Sequence, residues 1–246
     1  MSLWNRNRLA SLGRPLVIGH RGTPTIALEN TRESFRRAIA GGADAVETDV
    51  HVTADGHVVC LHDDNLLRVA GVAASIGQLR FEEARAHLPA LLRFPDFLDI
   101  THGFPVIVDV KHATAADLDA FIPQVIRRDA LSRSLFSAYT PEIASFIRQR
   151  SSDATIGTFF PEGGVCLDSA RKIGASFIRV LPHDYTAQKI ASIRDAGFGT
   201  IAVAAPLSSF KTASDSEALR QIAELRIDAV ITDTPELAAA EYRNFS

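Results

Sequence analysis

Eight short apolar runs, each followed by a stretch with helical periodicity, constrain the fold of this 246-residue chain more than any other feature. Most of the runs are continuously apolar, which is typical of parallel strands covered on both faces. They span residues 15–19, 44–50, 104–110, 133–139, 154–160, 176–181, 199–205 and 228–233. Eight strands that alternate with helices in a chain of this length favour a closed parallel barrel. We therefore predict the α/β class and a (β/α)8 TIM barrel.

No linker rich in Pro, Gly or Ser divides the chain, so we predict a single domain over residues 1–246. The irregular stretch at about 63–103 is expected to be a small insertion after the second strand. Asn30 and Glu33 have the spacing of a capping box and predict the start of the first barrel helix. Gly41 is expected to end that helix.

Charge and composition exclude several kinds of partner. The net charge is −3 with both signs interspersed, so nothing indicates a nucleic-acid partner. No run approaches the ~18 apolar residues of a membrane-spanning helix, and the first twenty residues lack the apolar core of a signal peptide. Cys60 and Cys166 lack a CxxC spacing and are interpreted as reduced, buried thiols. We expect no membrane insertion and a cytoplasmic location; the sequence leaves the oligomeric state open.

Polar side chains stand where the predicted strands end, which is where barrels carry their active sites. They are His20 and Arg21 after the first strand, Glu47 and Asp49 in the second, and Asp109 and Lys111 in the strand that begins at Phe104. Residues two apart in a strand share a face, so Glu47 and Asp49 point the same way, as do Asp109 and Lys111.

A β-hairpin is predicted after the second strand, because Asp55-Gly56 lies between alternating apolar residues. A two-residue turn pairs Asp49 with His62, whereas a bulged three-residue turn shifts this register by one. Either turn returns His62 to the Glu47 and Asp49 face. Asp63 is interpreted as a cap at the start of the insertion.

Three carboxylates at one barrel mouth predict a divalent cation. Without one, Glu47, Asp49 and Asp109 repel one another. Their all-oxygen donor set favours Mg²⁺, Ca²⁺ or Mn²⁺ over zinc. The alternative is that Glu47 and Asp49 form salt bridges with Arg21 and Lys111 and hold no metal.

Two cations and two histidines complete the predicted mouth. Arg21 and Lys111 combine a planar fork with a point charge, which suits a phosphate group. His20 and His62 beside a cation and a phosphate are interpreted as general acid and general base. Metal-assisted phosphoester cleavage uses all of these groups.

These residues resemble the glycerophosphodiester phosphodiesterase family. The resemblance is carried by HRG, LENT and GADAVETDVHVTADGHVVCLHD within residues 17–63, by VIVDVK near residues 105–111 and by VITDTPE near residues 228–236. It implies a TIM barrel that uses a divalent cation to hydrolyse small glycerophosphodiesters to glycerol 3-phosphate and an alcohol.

The resemblance also implies a role for each residue at the mouth. His20 and His62 correspond to the acid–base pair, and Glu47, Asp49 and Asp109 to the metal ligands. Arg21, Lys111 and Glu29 correspond to the residues that bind the substrate and its phosphate.

The chain departs from the family pattern at three places. Leu28 replaces a proline, Asp109 replaces a glutamate, and TIAVAAPL at 200–207 replaces a strand that commonly reads Trp-Thr-Val-Asn. The last departure keeps two alternatives open. One is a related phosphodiesterase for lysophospholipid or phosphoinositol-type substrates, and the other is a non-catalytic barrel that binds glycerol-phosphate-like ligands.

Overall fold

The computed structural model describes residues 4–110, 114–159, 167–204, 216–243 and 245. The strands are β1 (Leu16–Gly19), β2 (Ala45–Val52), β3 (Val58–Cys60), β4 (Asn65–Leu66), β5 (Val72–Ser75), β6 (Leu92–Arg93), β7 (Val106–Val110), β8 (Ser134–Ala138), β9 (Thr155–Thr158), β10 (Phe177–Val180), β11 (Gly199–Val203) and β12 (Ala229–Thr232). The helices are α1 (Arg6–Ala10), α2 (Arg32–Ala40), α3 (Leu67–Ala70), α4 (Phe81–His87), α5 (Phe94–Ile100), α6 (Ala115–Arg127), α7 (Pro141–Arg150), α8 (Leu167–Lys172), α9 (Ala187–Asp195), α10 (Ser216–Glu224) and α11 (Pro235–Tyr242). Short 3-10 turns lie at Ile76–Gln78, Leu131–Arg133 and Pro182–Asp184.

Strands β1, β2 and β7–β12 form a closed parallel barrel, which confirms the predicted TIM barrel. Their order around the barrel is β1-β2-β7-β8-β9-β10-β11-β12. Closure occurs at β1, where Leu16 pairs with Ala229 of β12 and Ile18 pairs with Ala45 of β2. Each strand corresponds to one of the apolar runs in the sequence.

The barrel is filled by apolar side chains and capped at its lower end by Trp4. The interior cluster includes Ile18, Ile107, Phe177 and Ile201. The Trp4 ring meets Phe177 edge-on at 6.0 Å, and its Nε1 donates to the carbonyl of Arg133 at 2.9 Å. The lower end of the barrel is therefore closed by packed side chains.

The segment between β2 and β7 contains the predicted hairpin strand and then the predicted insertion. It contains β3–β6 and α3–α5, and β3 extends the sheet by pairing antiparallel with both β2 and β6. Part of the segment has its own apolar cluster, which includes Leu66, Ile76, Phe81 and Leu91. The insertion is therefore a packed unit beside the barrel mouth.

The sequence allows two registers for the hairpin, and the structure has the bulged one. Val52 pairs with Val58 and His51 with Val59, and the amide of Leu61 donates to the carbonyl of Asp49. The two-residue turn that pairs Asp49 with His62 is wrong. A third turn residue is accommodated because Gly56 adopts a φ of +81°, which costs glycine little.

The predicted capping box at Asn30 is also wrong. Thr31 is the N-cap of α2, and its side chain accepts a hydrogen bond from the amide of Ser34. Asn30 instead has a φ of +56°, and its side-chain amide donates to Asp49. Gly41 ends α2 as predicted.

Two further sequence expectations bear on the described residues. Cys60 is a free, buried thiol, and Cys166 lies outside the described residues. Within the described ranges, no helix is both long and apolar enough to cross a membrane.

Candidate active site

Three buried carboxylates meet at the carboxyl end of the barrel. Glu47 and Asp49 lie on β2, and Asp109 lies opposite Asp49 in the parallel register with β7. Each offers an oxygen such that the three oxygens lie within 4.8 Å of one another. The residues are only 3%, 1% and 5% exposed, so the cluster is largely removed from water.

Hydrogen-bond donors from the loop after β1 orient the two carboxylates of β2. The backbone amide of Arg21 donates to Glu47 Oε2 at 2.8 Å, and Asn30 Nδ2 donates to Asp49 Oδ2 at 3.0 Å. Thr48 Oγ1 donates to Asn30 Oδ1 at 2.8 Å, which fixes the orientation of the Asn30 amide. Each carboxylate of β2 is therefore held by a donor from a neighbouring segment.

Asp109 is held by hydroxyl groups at the neighbouring strand β8. Ser137 Oγ donates to Asp109 Oδ1, and the Tyr139 hydroxyl donates to Oδ2 at 3.2 Å. Arg179 of β10 donates to the Tyr139 hydroxyl at 3.1 Å and to the carbonyl of Phe159 at 2.9 Å. A chain of contacts thus joins Asp109 to a cation on the far side of the mouth.

Arg21 is a buried cation between two carboxylates. Its Nη1 donates to Glu29 Oε1 at 3.0 Å, and its Nε lies 3.4 Å from Asp49 Oδ2. Burial opposes the charge on Arg21, but attraction to Asp49, Glu29 and Glu47 outweighs it and raises the pKa of the guanidinium. Arg21 therefore remains a fixed positive charge at the mouth.

The turn after β1 is strained and tightly held. Arg21 has a φ of +52°, a left-handed conformation that costs a non-glycine residue about 1–2 kcal/mol. Its carbonyl accepts from the amide of Asn30 and from the hydroxyl of Ser34. Gly22 follows with a φ of +91°, and a Cβ there would lie 2.3 Å from Ser34 Oγ. Only glycine fits at this position, which explains the glycine of the His-Arg-Gly sequence.

Both predicted catalytic histidines are paired with aspartates. His20 Nδ1 lies 2.5 Å from Asp233 Oδ1, and His62 Nδ1 lies 2.6 Å from Asp63 Oδ1. An ionised carboxylate can only accept, so these contacts assign the Nδ1 proton to each ring and leave Nε2 as the nitrogen for proton exchange. Asp63 therefore pairs with His62 and is not the cap that the sequence predicted.

Arg68 of α3 joins two parts of the mouth. Its Nη1 and Nη2 donate to the two oxygens of Glu29, each at 2.6 Å, and its Nε donates to Asp63 Oδ2 at 2.7 Å. Burial raises the pKa of Glu29, but the hydrogen bonds and charges of Arg68 and Arg21 outweigh it and bring that pKa below its ordinary value. Burial likewise raises the pKa of Asp63, but the hydrogen bonds and charges of His62 and Arg68 outweigh it and bring that pKa below its ordinary value.

The structure brings together every sequence-predicted site residue that it describes. These are His20, Arg21, Glu29, Glu47, Asp49, His62 and Asp109. Lys111 lies outside the described residues, as does the end of the TIAVAAPL stretch.

Sequence reasoning missed Asp233, Arg68, Asn30, Ser137 and Arg179. Asp233 had a signal, because it follows the apolar run of β12 directly, in the same way that His20 follows β1. Arg68 had none, because it lies 39 residues from Glu29 in a segment without regular periodicity.

Comparisons with known proteins agree with this geometry. Residues 20–157 match the model of the glycerophosphoryl diester phosphodiesterase family. A 74-residue segment is 42% identical to a lysophospholipase D of Homo sapiens, covering 30% of this chain and 24% of that protein. A 72-residue segment is 39% identical to a glycerophosphodiester phosphodiesterase of Caldanaerobacter subterraneus, covering 29% of this chain and 30% of that protein. The matched segments thus span less than a third of either relative.

A solved structure resembles the whole barrel. It is an Oleispira antarctica phosphodiesterase in complex with its product sn-glycerol-3-phosphate, with a TM-score of 0.81 and 18% identity. The alignment covers 96% of this chain and 99% of that one. At this identity the likeness shows the fold.

Fold and site together define a (β/α)8 barrel whose carboxyl mouth carries clustered carboxylates and paired histidines. The family model covers more than half of the chain, including both histidines and all three carboxylates. The chain belongs to the glycerophosphoryl diester phosphodiesterase family.

Proposed function

We propose that this protein hydrolyses glycerophosphodiesters to glycerol 3-phosphate and an alcohol, using His20 and His62 as the acid–base pair beside a divalent cation. One observation carries the proposal: two histidine–aspartate pairs and a buried cluster of three carboxylates share one barrel mouth. A protein that only bound its ligand would have no need of two oriented histidines.

The carboxylate cluster fits a hard divalent cation. Three buried acidic groups with oxygens within 4.8 Å repel one another, and a cation relieves this repulsion. Glu47, Asp49 and Asp109 would hold Mg²⁺, Ca²⁺ or Mn²⁺ through oxygen atoms alone. The bound ion would supply Lewis-acid polarisation of a phosphoryl oxygen.

The Nε2 atoms of the two histidines transfer the protons, because both Nδ1 atoms are hydrogen-bonded to aspartates. One ring accepts a proton from the attacking water as the water oxygen bonds to phosphorus. The other donates a proton to the alcohol oxygen as its bond to phosphorus breaks. Asp233 and Asp63 orient the rings and stabilise each imidazolium form.

Arg21 supplies a fixed positive charge for the phosphate. Glu29 and Asp49 hold its guanidinium, which limits the rotational freedom lost when a phosphate binds. Lys111 is proposed from the sequence alone as its partner in binding the phosphate. Glu29 contributes to phosphate binding indirectly, because it fixes the guanidinium of Arg21.

A second candidate substrate is a lysophospholipid, because the mouth has an exposed apolar rim. Ile26, Leu28 and Leu67 are 53%, 37% and 56% exposed. Leu28 and Leu67 directly adjoin Glu29 and Arg68, whose ion pair brings these two segments together. Large exposed apolar side chains beside a site are suited to an acyl chain. A water-soluble glycerophosphodiester gains nothing from them.

The test is product analysis on a substrate panel. The purified protein is incubated with Mg²⁺, Ca²⁺ or Mn²⁺ and with glycerophosphocholine, glycerophosphoethanolamine, glycerophosphoinositol or lysophosphatidylcholine. Release of glycerol 3-phosphate and the free alcohol supports the main proposal. Preferential formation of lysophosphatidic acid supports the second candidate, and binding without turnover of any substrate contradicts both.

A further inference from the structure

Arg68 lies in the inserted segment and forms ion pairs with two carboxylates at the mouth, those of Glu29 and Asp63. One edge of its guanidinium holds both oxygens of Glu29, and its Nε holds Asp63. Glu29 in turn accepts from Arg21, and Asp63 in turn accepts from His62. A continuous series of charged contacts therefore runs from His62 to Arg21 through Arg68.

The distances and burial indicate a rigid connection. The contacts of Arg68 measure 2.6 to 2.7 Å, and the side chain of Glu29 is only 3% exposed. Bidentate pairing of arginine with a carboxylate fixes both planes, which a lysine cannot do. Glu29 and Asp63 lie on segments far apart in sequence, so this pairing fixes their relative position at the mouth.

We propose that Arg68 is a positioning residue that fixes Asp63 against His62 and Glu29 against Arg21, so that the inserted segment completes the catalytic mouth. This inference rests on the proposed function. Arg68 is not required to touch the substrate; it acts through the two carboxylates.

Loss of Arg68 has two distinct consequences. Asp63 loses the donor that holds its second oxygen, so His62 loses its fixed orientation. His62 also loses a nearby positive charge. This loss favours the protonated imidazole and is expected to raise the pKa of His62. The carboxylates of Glu47, Asp49 and Asp109 share the mouth with His62, and His51 Nε2 lies 3.2 Å from the His62 carbonyl. The charges of these groups are the same in the wild type and in the Arg68 variants.

The experiment compares Arg68→Gln, Arg68→Lys and a matched control, Arg80→Gln. Arg80 lies in the same inserted segment with its side chain 71% exposed, so its replacement removes the same charge without touching the mouth. For each protein, kcat, KM and their pH profiles are measured on the substrate that the wild type hydrolyses. Thermal unfolding is measured in parallel.

Arg68→Gln is expected to lower kcat on the order of 10- to 100-fold, the range seen when a supporting hydrogen-bond partner is lost. The limb of the pH profile that reports His62 is expected to move to higher pH. Arg68→Lys keeps the charge, so that limb should stay near its wild-type position while kcat recovers only in part. Arg80→Gln should match the wild type in both.

An unchanged kcat and pH profile in Arg68→Gln would overturn the proposal. So would a loss of kcat explained by the unfolded fraction alone, or an equal pH shift in Arg68→Lys. Histidine NMR titration separates this failure from failure of the proposed function, because it requires no turnover. A His62 midpoint that rises in Arg68→Gln and stays near its wild-type value in Arg68→Lys supports the proposal even if no substrate is hydrolysed, and an unchanged midpoint in Arg68→Gln contradicts it.

Discussion

His20 and His62 have the same local arrangement, although they come from different parts of the barrel. Each follows a strand, and each presents Nδ1 to an aspartate at 2.5 to 2.6 Å. Asp233 is 213 residues from His20, whereas Asp63 adjoins His62. The same imidazole–carboxylate geometry is thus built once by barrel closure and once by local sequence.

Replacement of either histidine should abolish proton transfer without affecting the fold. His20→Ala and His62→Ala are each expected to lower kcat about 10²- to 10⁴-fold, the usual contribution of general acid–base catalysis. His87→Ala, an exposed position on α4, is the matched control. Steady-state kinetics together with circular dichroism provides the check. Wild-type turnover in both variants would exclude the proposed roles.

The sequence predicted the charged residues at strand ends because one physical rule covers them. Charged groups are tolerated at the end of a buried strand only when they are paired or bound. That rule applies to Glu47, Asp49 and Asp109, and it applies equally to Asp233. It does not reach Arg68, whose partners are set by the tertiary packing of the insertion.

The hairpin between β2 and β3 shows how one turn residue decides the register of an element. The Asp-Gly pair predicts a tight turn, but it does not distinguish a two-residue turn from a bulged one. Gly56 with a φ of +81° permits the bulge, and Leu61 rather than His62 then lies opposite Asp49. His62 is thereby placed one residue beyond this pairing, with Asp63 beside it.

Gly56→Ala should destabilise the protein through the backbone alone. A Cβ at this position meets nothing within 4 Å, so the cost is the left-handed conformation, about 1–2 kcal/mol. Gly77→Ala is the matched control, because its nearest contact would be the Val52 carbonyl at 3.8 Å and its φ is ordinary. Urea unfolding at pH 7 measures both free energies. Equal stability of the two variants would contradict the left-handed conformation of Gly56.

The whole barrel was the most predictable part of the molecule. Continuous apolar runs need cover on both faces, and eight of them with helices between can close in few ways. The observed strands lie within the predicted runs or extend them by a residue or two. The insertion was the least predictable part, because its short strands and helices depend on a small cluster of their own.

Ionised carboxylates at the mouth should make the stability of the whole molecule depend on pH. The pKa of Glu29 lies below its ordinary value in the folded protein, so the unfolded state binds more protons between the two pKa values. The contribution of Glu29 is therefore complete above its unfolded pKa of about 4.3 and is lost as the pH falls through its folded pKa.

Glu29→Gln should therefore be destabilising mainly at neutral pH. We expect a loss in the free energy of unfolding of roughly 1–3 kcal/mol at pH 7, typical of hydrogen bonds to charged groups. The difference from the wild type should shrink as the pH falls below about 4.3. Denaturant unfolding at pH 7, 5, 4 and 3 measures it. A difference that stays constant over this range would show that Glu29 is not held as an anion.

The most direct test of the central claim is glycerol 3-phosphate release under metal control. The protein is treated with a chelator, and release from glycerophosphodiesters is measured before and after Mg²⁺, Ca²⁺ or Mn²⁺ is restored. We predict that the chelator stops release, that at least one of these ions restores it, and that Asp49→Asn, with its ligand set weakened, recovers far less. Release that continues unchanged in the chelator would contradict a catalytic cation at Glu47, Asp49 and Asp109.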